Sequence, residues 1–184
     1  MNTNQKEITT TKKLVGTAVF SALAYVVSFL EFPIFVATPF LKLDFSAVFL
    51  LLCGFAFGVW YGVGAIAIKE FICFLTKSST GGVGEIANFL IMASFVVIPS
   101  VVYMFKKGLP TVILSLIIAS VVQVIVALIV NRFINFPLYM GEGARDVFNS
   151  VWYFIVFFNL IKSVAISIIT ILLYKRISHL IKAI

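Results

Sequence analysis

Long apolar runs broken by short polar clusters dominate this chain, and they predict six helices. The runs cover about 13–30, 44–60, 62–76, 85–105, 110–131 and 148–174. Each is near the length that crosses a hydrocarbon core, about 20 residues at 1.5 Å per residue. The breaks are chemically distinct. Glu31, Pro33 and Pro39 open the first, which ends in Leu41-Lys42-Leu43-Asp44. Proline fixes φ and lacks an N–H, so this segment reads as an irregular, re-entrant or capping loop. Asp44 or Ser46 is placed to cap the second helix. Trp60-Tyr61-Gly62 reads as a tight turn with interfacial aromatics, and Lys106-Lys107-Gly108 as a short basic turn. Pro99 predicts a kink in the fourth run, and the segment 132–147 predicts a longer loop with Pro137, Gly141 and Gly143.

Composition agrees with that pattern. Of 184 residues 62% are hydrophobic and only 11% charged, with mean hydropathy +1.16. A soluble fold of this size needs more charge to cover its surface. The reading is therefore an all-α integral membrane protein, one bundle of six transmembrane helices, with no repeat or linker marking a second domain. Lys12 and Lys13 before an apolar run, with Ala22-Leu23-Ala24, loosely resemble a cleaved leader. The run continues to Leu30, so a retained first helix is expected.

Charge sets the orientation. A net charge of +7 would suit nucleic acid, but the basic residues stand at the ends of apolar runs. Lys6, Lys12, Lys13, Lys106, Lys107, Lys175, Arg176 and Lys182 fall on one side of a six-span layout, with Glu7 the one acid among them. The positive-inside rule then puts both termini in the cytoplasm, as an even span count also requires. Cys53 and Cys73 lie within apolar runs and read as small buried hydrophobes.

Polar groups inside a bilayer are costly, about 2.5–3.5 kcal/mol for a central charge, so they mark function. Three groups gather toward the outer half. The first is Thr80-Gly81-Gly82-Val83-Gly84-Glu85, with Asn88 on the same helix face as Glu85. It is either a backbone loop that approaches a ligand or a flexible loop with a capping Glu, and it lacks the phosphate-loop pattern. The second is Asn131 and Asn135 with Arg132; a carboxamide offers the donor and acceptor that an imide edge needs, while interfacial capping is the alternative. The third is Asn159 with Lys162, three apart on one face, where a Lys must meet a cavity or a partner. Lys69 and Glu70 are adjacent, so their side chains diverge and need not pair with each other. His179 reads as a solvated tail residue. No metal-ligand cluster or Ser–His–Asp set is present in the sequence, so catalysis is not expected. Ala18 and Ala22 form an A-x-x-x-A face, extended by Ser21 and Ala24, of the kind that lets helices pack closely in membranes.

The runs FLKLDFS at 40–46 and TGGVGEIANF at 80–89 resemble the substrate-binding S components of energy-coupling factor (ECF) vitamin transporters, most closely the riboflavin-specific branch. The resemblance covers nearly the whole chain. It implies a multi-pass protein of the bacterial plasma membrane that captures its vitamin from outside, under a cap formed by the first loop. It implies Asn131, Asn159 and Lys162 against the flavin ring, and Gly81, Gly82 and Glu85 near the ribityl chain. Thr80, Asn88, Phe40, Leu41 and Trp152 complete the expected pocket, with Phe40, Phe133, Trp152 and Tyr153 as stacking rings. It also implies a coupling membrane subunit met through Ala18 and Ala22, two cytosolic ATPases, and no cofactor beyond riboflavin as cargo. Flavin mononucleotide, folate or a queuosine precursor remain alternative ligands, and a structural membrane protein without a ligand is the alternative class.

Overall fold

The computed structural model describes residues 10–183, with side chains through Tyr174. Lys6 and Glu7 lie outside the described residues, as do the side chains of Lys175, Arg176, His179 and Lys182.

The chain is helical almost throughout: α1 Thr10–Val27, α2 Ser46–Phe57, α3 Val59–Lys77, α4 Val83–Phe105, α5 Leu109–Val130, a short α6 Phe136–Met140 and α7 Ala144–Ala183. Three helical stretches are long and apolar enough to cross a membrane, namely Val59–Lys77, Val83–Phe105 and Leu109–Tyr174. The third holds α5 and most of α7, which run antiparallel: Ala127 shares a core with Ile155, and Phe136 packs on Phe148. α2 has only 12 residues, and two lysines dilute the hydropathy of α1. Outward faces are apolar, as lipid contact requires, with Val15, Val19, Val26, Leu114, Ile117, Val121 and Leu172 all exposed.

Several boundaries depart from the sequence reading. The break between α2 and α3 is Gly58, whose φ of 102° is comfortable only without a Cβ. One residue therefore makes the turn, and Trp60, Tyr61 and Gly62 belong to α3. The first loop is not wholly irregular: β1 Phe32–Pro33 pairs antiparallel with β2 Lys42–Leu43. The expected loop at 132–147 is mostly helical, because a π turn at Asn131–Asn135 leads straight into α6, with a 3-10 turn at Gly141–Gly143 before α7. Pro99 is buried inside α4, which continues through it.

Small residues permit the tight centre. A Cβ on Gly62 would stand 3.1 Å from the Gly54 Cα, so α2 and α3 approach backbone to backbone. Around this contact Leu50, Leu51, Ile66, Phe95, Val96, Leu116 and Ile166 form a dry core. A second core, Leu41, Leu43, Ala127, Phe136, Phe148, Ile155 and Phe158, lies under the first loop. The hydroxyls facing the bundle from α1 are satisfied within the helix: Thr17 Oγ1 donates to the Lys13 carbonyl and Ser21 Oγ to that of Thr17. Ser21 and Ala24 face inward, whereas Ala18 and Ala22 are exposed. The small-residue face of α1 is thus split, its Ala18–Ala22 part being exposed.

Candidate functional site

A cavity of about 320 Å³ opens between the two cores, taking Leu41, Phe136 and Phe158 from one and Met92 from the other. The loop joining α1 to α2 supplies Glu31, Phe40, Leu41, Lys42 and Asp44 to its wall and is pinned by charge. Lys42 Nζ donates to Glu31 Oε1 at 2.9 Å. Lys77 Nζ donates to the Ser28 carbonyl at 2.8 Å and reaches Glu31 Oε2 at 3.4 Å. Burial pushes the Glu31 carboxyl up, but Lys42 and Lys77 outweigh it and hold the group below its ordinary value of 4.5. Aromatic contacts seat the loop: Phe40 meets Phe136 edge-on at 5.8 Å and Phe35 meets Phe154 at 5.3 Å.

Four charges, all buried, form part of the cavity wall. Lys162 Nζ on α7 donates to Asp44 Oδ2 at 2.8 Å, across 118 positions of sequence. Asp44 Oδ1 accepts from the Ser46 amide at 2.8 Å and from the Ser46 hydroxyl, which starts α2. On α3, Lys69 Nζ donates to Glu70 Oε1 at 2.7 Å. The sequence reading held that these neighbours need not pair; the long lysine stem bends back far enough to do so. Two cations and two anions make the group neutral, which is how charge survives away from water.

The amides come from the two antiparallel helices. Asn131 Nδ2 donates to the Ala127 carbonyl at 2.8 Å, and its Oδ1 accepts from Asn135 Nδ2 at 2.9 Å. Asn159 Nδ2 donates to the Ile155 carbonyl at 2.8 Å. At the start of α4, Thr80 Oγ1 accepts from the Gly84 amide at 2.9 Å and donates to Glu85 Oε2 at 3.1 Å. This turn needs Gly81 and Gly82, with φ of 62° and 97°.

The structure brings Asn131, Asn159, Lys162, Glu85, Thr80, Asn88, Phe40 and Leu41 around this one cavity. It does not bring Gly81, Gly82 or Trp152 there. The two glycines shape the turn, and Gly84 takes the wall position. Trp152 stands seven residues before Asn159, about 10 Å nearer the N-terminal end of α7. There it packs in a separate groove between α5 and α7 with Arg132, Phe133 and Phe148. Phe133, expected to stack, shares that groove, and Tyr153 is outside the cavity wall. Sequence reasoning missed Gln123 and Asp44 as wall residues. An amide within the apolar run of α5 was the available signal for the first. The second was read only as a cap, because nothing local announces its partner.

Comparison with known proteins identifies the family. Residues 12–174 match the family model described as the ECF transporter, substrate-specific component. The riboflavin transporter RibU of Staphylococcus aureus (strain TCH60) is 39% identical over 178 residues, with 94% of each chain covered. The riboflavin transporter FmnP of Bacillus subtilis (strain 168) is 28% identical, covering 90% of this chain and 92% of its own. A solved structure, described as that of the S component of a bacterial ECF transporter, superposes with a TM-score of 0.82 at 38% identity, covering 95% of this chain and 99% of the other. The chain belongs to the substrate-specific components of ECF transporters.

Proposed function

We propose that this chain binds riboflavin from the outside of the cell membrane and hands it inward with a coupling subunit and two cytosolic ATPases. The observation that carries this reading is the meeting of Asn131, Asn159 and Lys162 on one cavity beneath the α1–α2 loop, in a chain 39% identical to a riboflavin transporter. The cavity combines apolar walls with a few oriented polar groups, as small-molecule sites do. In this reading the helices make six crossings with both termini cytoplasmic, and α1 meets the coupling subunit through exposed Ala18 and Ala22. Thr80, Glu85 and Asn88 receive the ribityl hydroxyls. Phe40 and Leu41 close over the ring.

Charge favours free riboflavin over its phosphate ester. Each cavity lysine already faces a carboxylate: Lys42 and Lys77 face Glu31, Lys69 faces Glu70, and Lys162 faces Asp44. Glu85 adds an anion that has no basic partner among the described residues. A phosphate would enter a site with no spare positive charge.

The test is titration of purified, flavin-free protein in detergent, read by quenching of riboflavin fluorescence. Saturable quenching, weakened by Asn131→Ala and by Lys162→Ala, is expected. A folded protein that leaves riboflavin fluorescence unchanged would overturn the assignment. The α1 face is tested separately: Ala18→Leu with Ala22→Leu leaves binding intact while uptake by the assembled transporter falls.

A further inference from the structure

Gln123 is the uncommitted amide of the cavity. It lies within α5, is 2% exposed and forms part of the cavity wall. Its Oε1 is buried without a hydrogen-bond partner among the described residues. Such an orphaned acceptor is uncommon in folded proteins, and each one asks what normally faces it. The two asparagines differ in this respect. Asn131 and Asn159 each spend an N–H on the carbonyl four residues back in their own helix, and Asn131 also accepts from Asn135. A carboxamide bonded in that way is held still but keeps only part of its capacity. The acceptor of Gln123 makes no such bond among the described residues.

Its depth is fixed by packing. Ala127 and Ile155 lie in the same core cluster. One turn further along on each antiparallel helix stand Gln123 and Asn159, so the two amides line the cavity from neighbouring helices at a similar depth. Lys162 lies one turn beyond Asn159.

We infer that Gln123 is a ligand-contact residue, its side-chain amide pairing with an imide edge in which N–H lies between two carbonyls. The inference rests on the riboflavin reading above. The isoalloxazine ring of neutral riboflavin carries one N–H, at imide N3. An amide is the neutral side chain that meets such an edge with both partners at once, accepting from N3–H through Oε1 and donating to the neighbouring carbonyl through Nε2. Leaving a buried donor unpaired costs more than the bond itself contributes, so one edge contact discriminates strongly between ligands.

The experiment compares riboflavin with N3-methylriboflavin on wild-type protein and on Gln123→Met, which keeps length and volume without a polar atom. Riboflavin is titrated on the wild type first; absence of binding there refutes the riboflavin reading and this inference with it. Where wild type binds, it should reject the N3-methyl analogue by roughly tenfold or more. Gln123→Met should weaken riboflavin by a similar factor and bind the two ligands within about twofold of each other, on the scale of a single hydrogen bond. Gln123→Ala provides a second variant, which opens room for the methyl group and should also lose the discrimination. Riboflavin affinity unchanged in both variants overturns the assignment. So does N3-methyl discrimination that persists in them, or a variant that weakens both ligands equally, as it would if Gln123 only held a water molecule.

Discussion

Replacing Lys162 with Met separates what the buried ion pair does for the fold from what it does for the ligand. The substitution removes the ammonium 2.8 Å from Asp44 Oδ2 at a site where both side chains are under a tenth exposed. Asp44 keeps the Ser46 amide and hydroxyl on Oδ1, but Oδ2 loses its partner. Breaking one side of a buried pair costs about 3–5 kcal/mol, because the remaining charge is left uncompensated. The Ser46 contacts and nearby Lys69 place this site toward the lower end, about 3 kcal/mol. Neutralising both partners, as in Asp44→Asn with Lys162→Met, removes the stranded charge. It should recover most of that loss, to within about 1 kcal/mol of wild type.

Ligand-free unfolding in detergent, followed by tryptophan fluorescence, measures the three proteins side by side. Riboflavin binding supplies the second readout. A charged donor to a ligand carbonyl contributes about 1.5–3 kcal/mol, so Lys162→Met should weaken binding roughly ten- to a hundredfold. The double variant should recover stability and not affinity, because the donor is still missing. A double variant as unstable as Lys162→Met would refute the pairing argument. Full recovery of affinity in the double variant would refute a direct role for Lys162.

Three further outcomes follow from the geometry. Glu85→Gln should improve affinity for the riboflavin phosphate ester several-fold relative to riboflavin itself, as competition titration would show; an unchanged ratio would remove Glu85 as the discriminating charge. The folded-state carboxyl of Glu31 is held below 4.5, so its tether on the first loop is fully present above that pH and fades as pH falls beneath it. Riboflavin release should then accelerate in acid, by no more than about fivefold for a partly exposed ion pair, and Glu31→Gln should release fast at neutral pH with the acid dependence gone. A Cβ on Gly54 would collide with Ser100 Oγ, so Gly54→Ala should lose about 1–3 kcal/mol of stability. Adding Ser100→Ala, which removes a buried hydroxyl that has no partner, should recover part of that loss in the same unfolding assay, the Ser100 Cβ still standing 3.0 Å away.

Much of this architecture was legible in the sequence for a physical reason. A helix that faces lipid must be apolar over its whole outer face, so α3, α4, α5 and α7 announce themselves as long runs; the predicted limits of α3, α4 and α5 fall within three residues of the observed helices, whereas α7 continues to Ala183, past the predicted end at 174. What the runs do not carry is the geometry of the breaks. Gly58 turns the chain in one residue because its φ is positive, a conformation that the adjacent Trp60 and Tyr61 disguise as an interfacial turn. The π turn at Asn131–Asn135 keeps the backbone bonded where the glycine and proline content nearby suggests a loop, and hydrogen-bonding register is not a property of composition.

The candidate site divides along the same line. Asn131, Asn159 and Lys162 stood out because a polar side chain in an apolar helix must meet something other than lipid. Trp152 was expected in the pocket as a stacking ring, and it lies seven residues from Asn159, two turns along α7. Yet a helix face is a stripe, and seven residues carry Trp152 beyond the cavity into the groove beside Arg132. Asp44 shows the complementary failure. Its neighbours explain it fully as a helix-start residue, and only the fold brings it within 2.8 Å of Lys162. The same carboxylate closes the first loop, starts α2 and steadies a buried cation of the cavity. Any ligand that draws on Lys162 therefore acts on the segment that covers it, so capture of the ligand and closure of the loop share one buried contact.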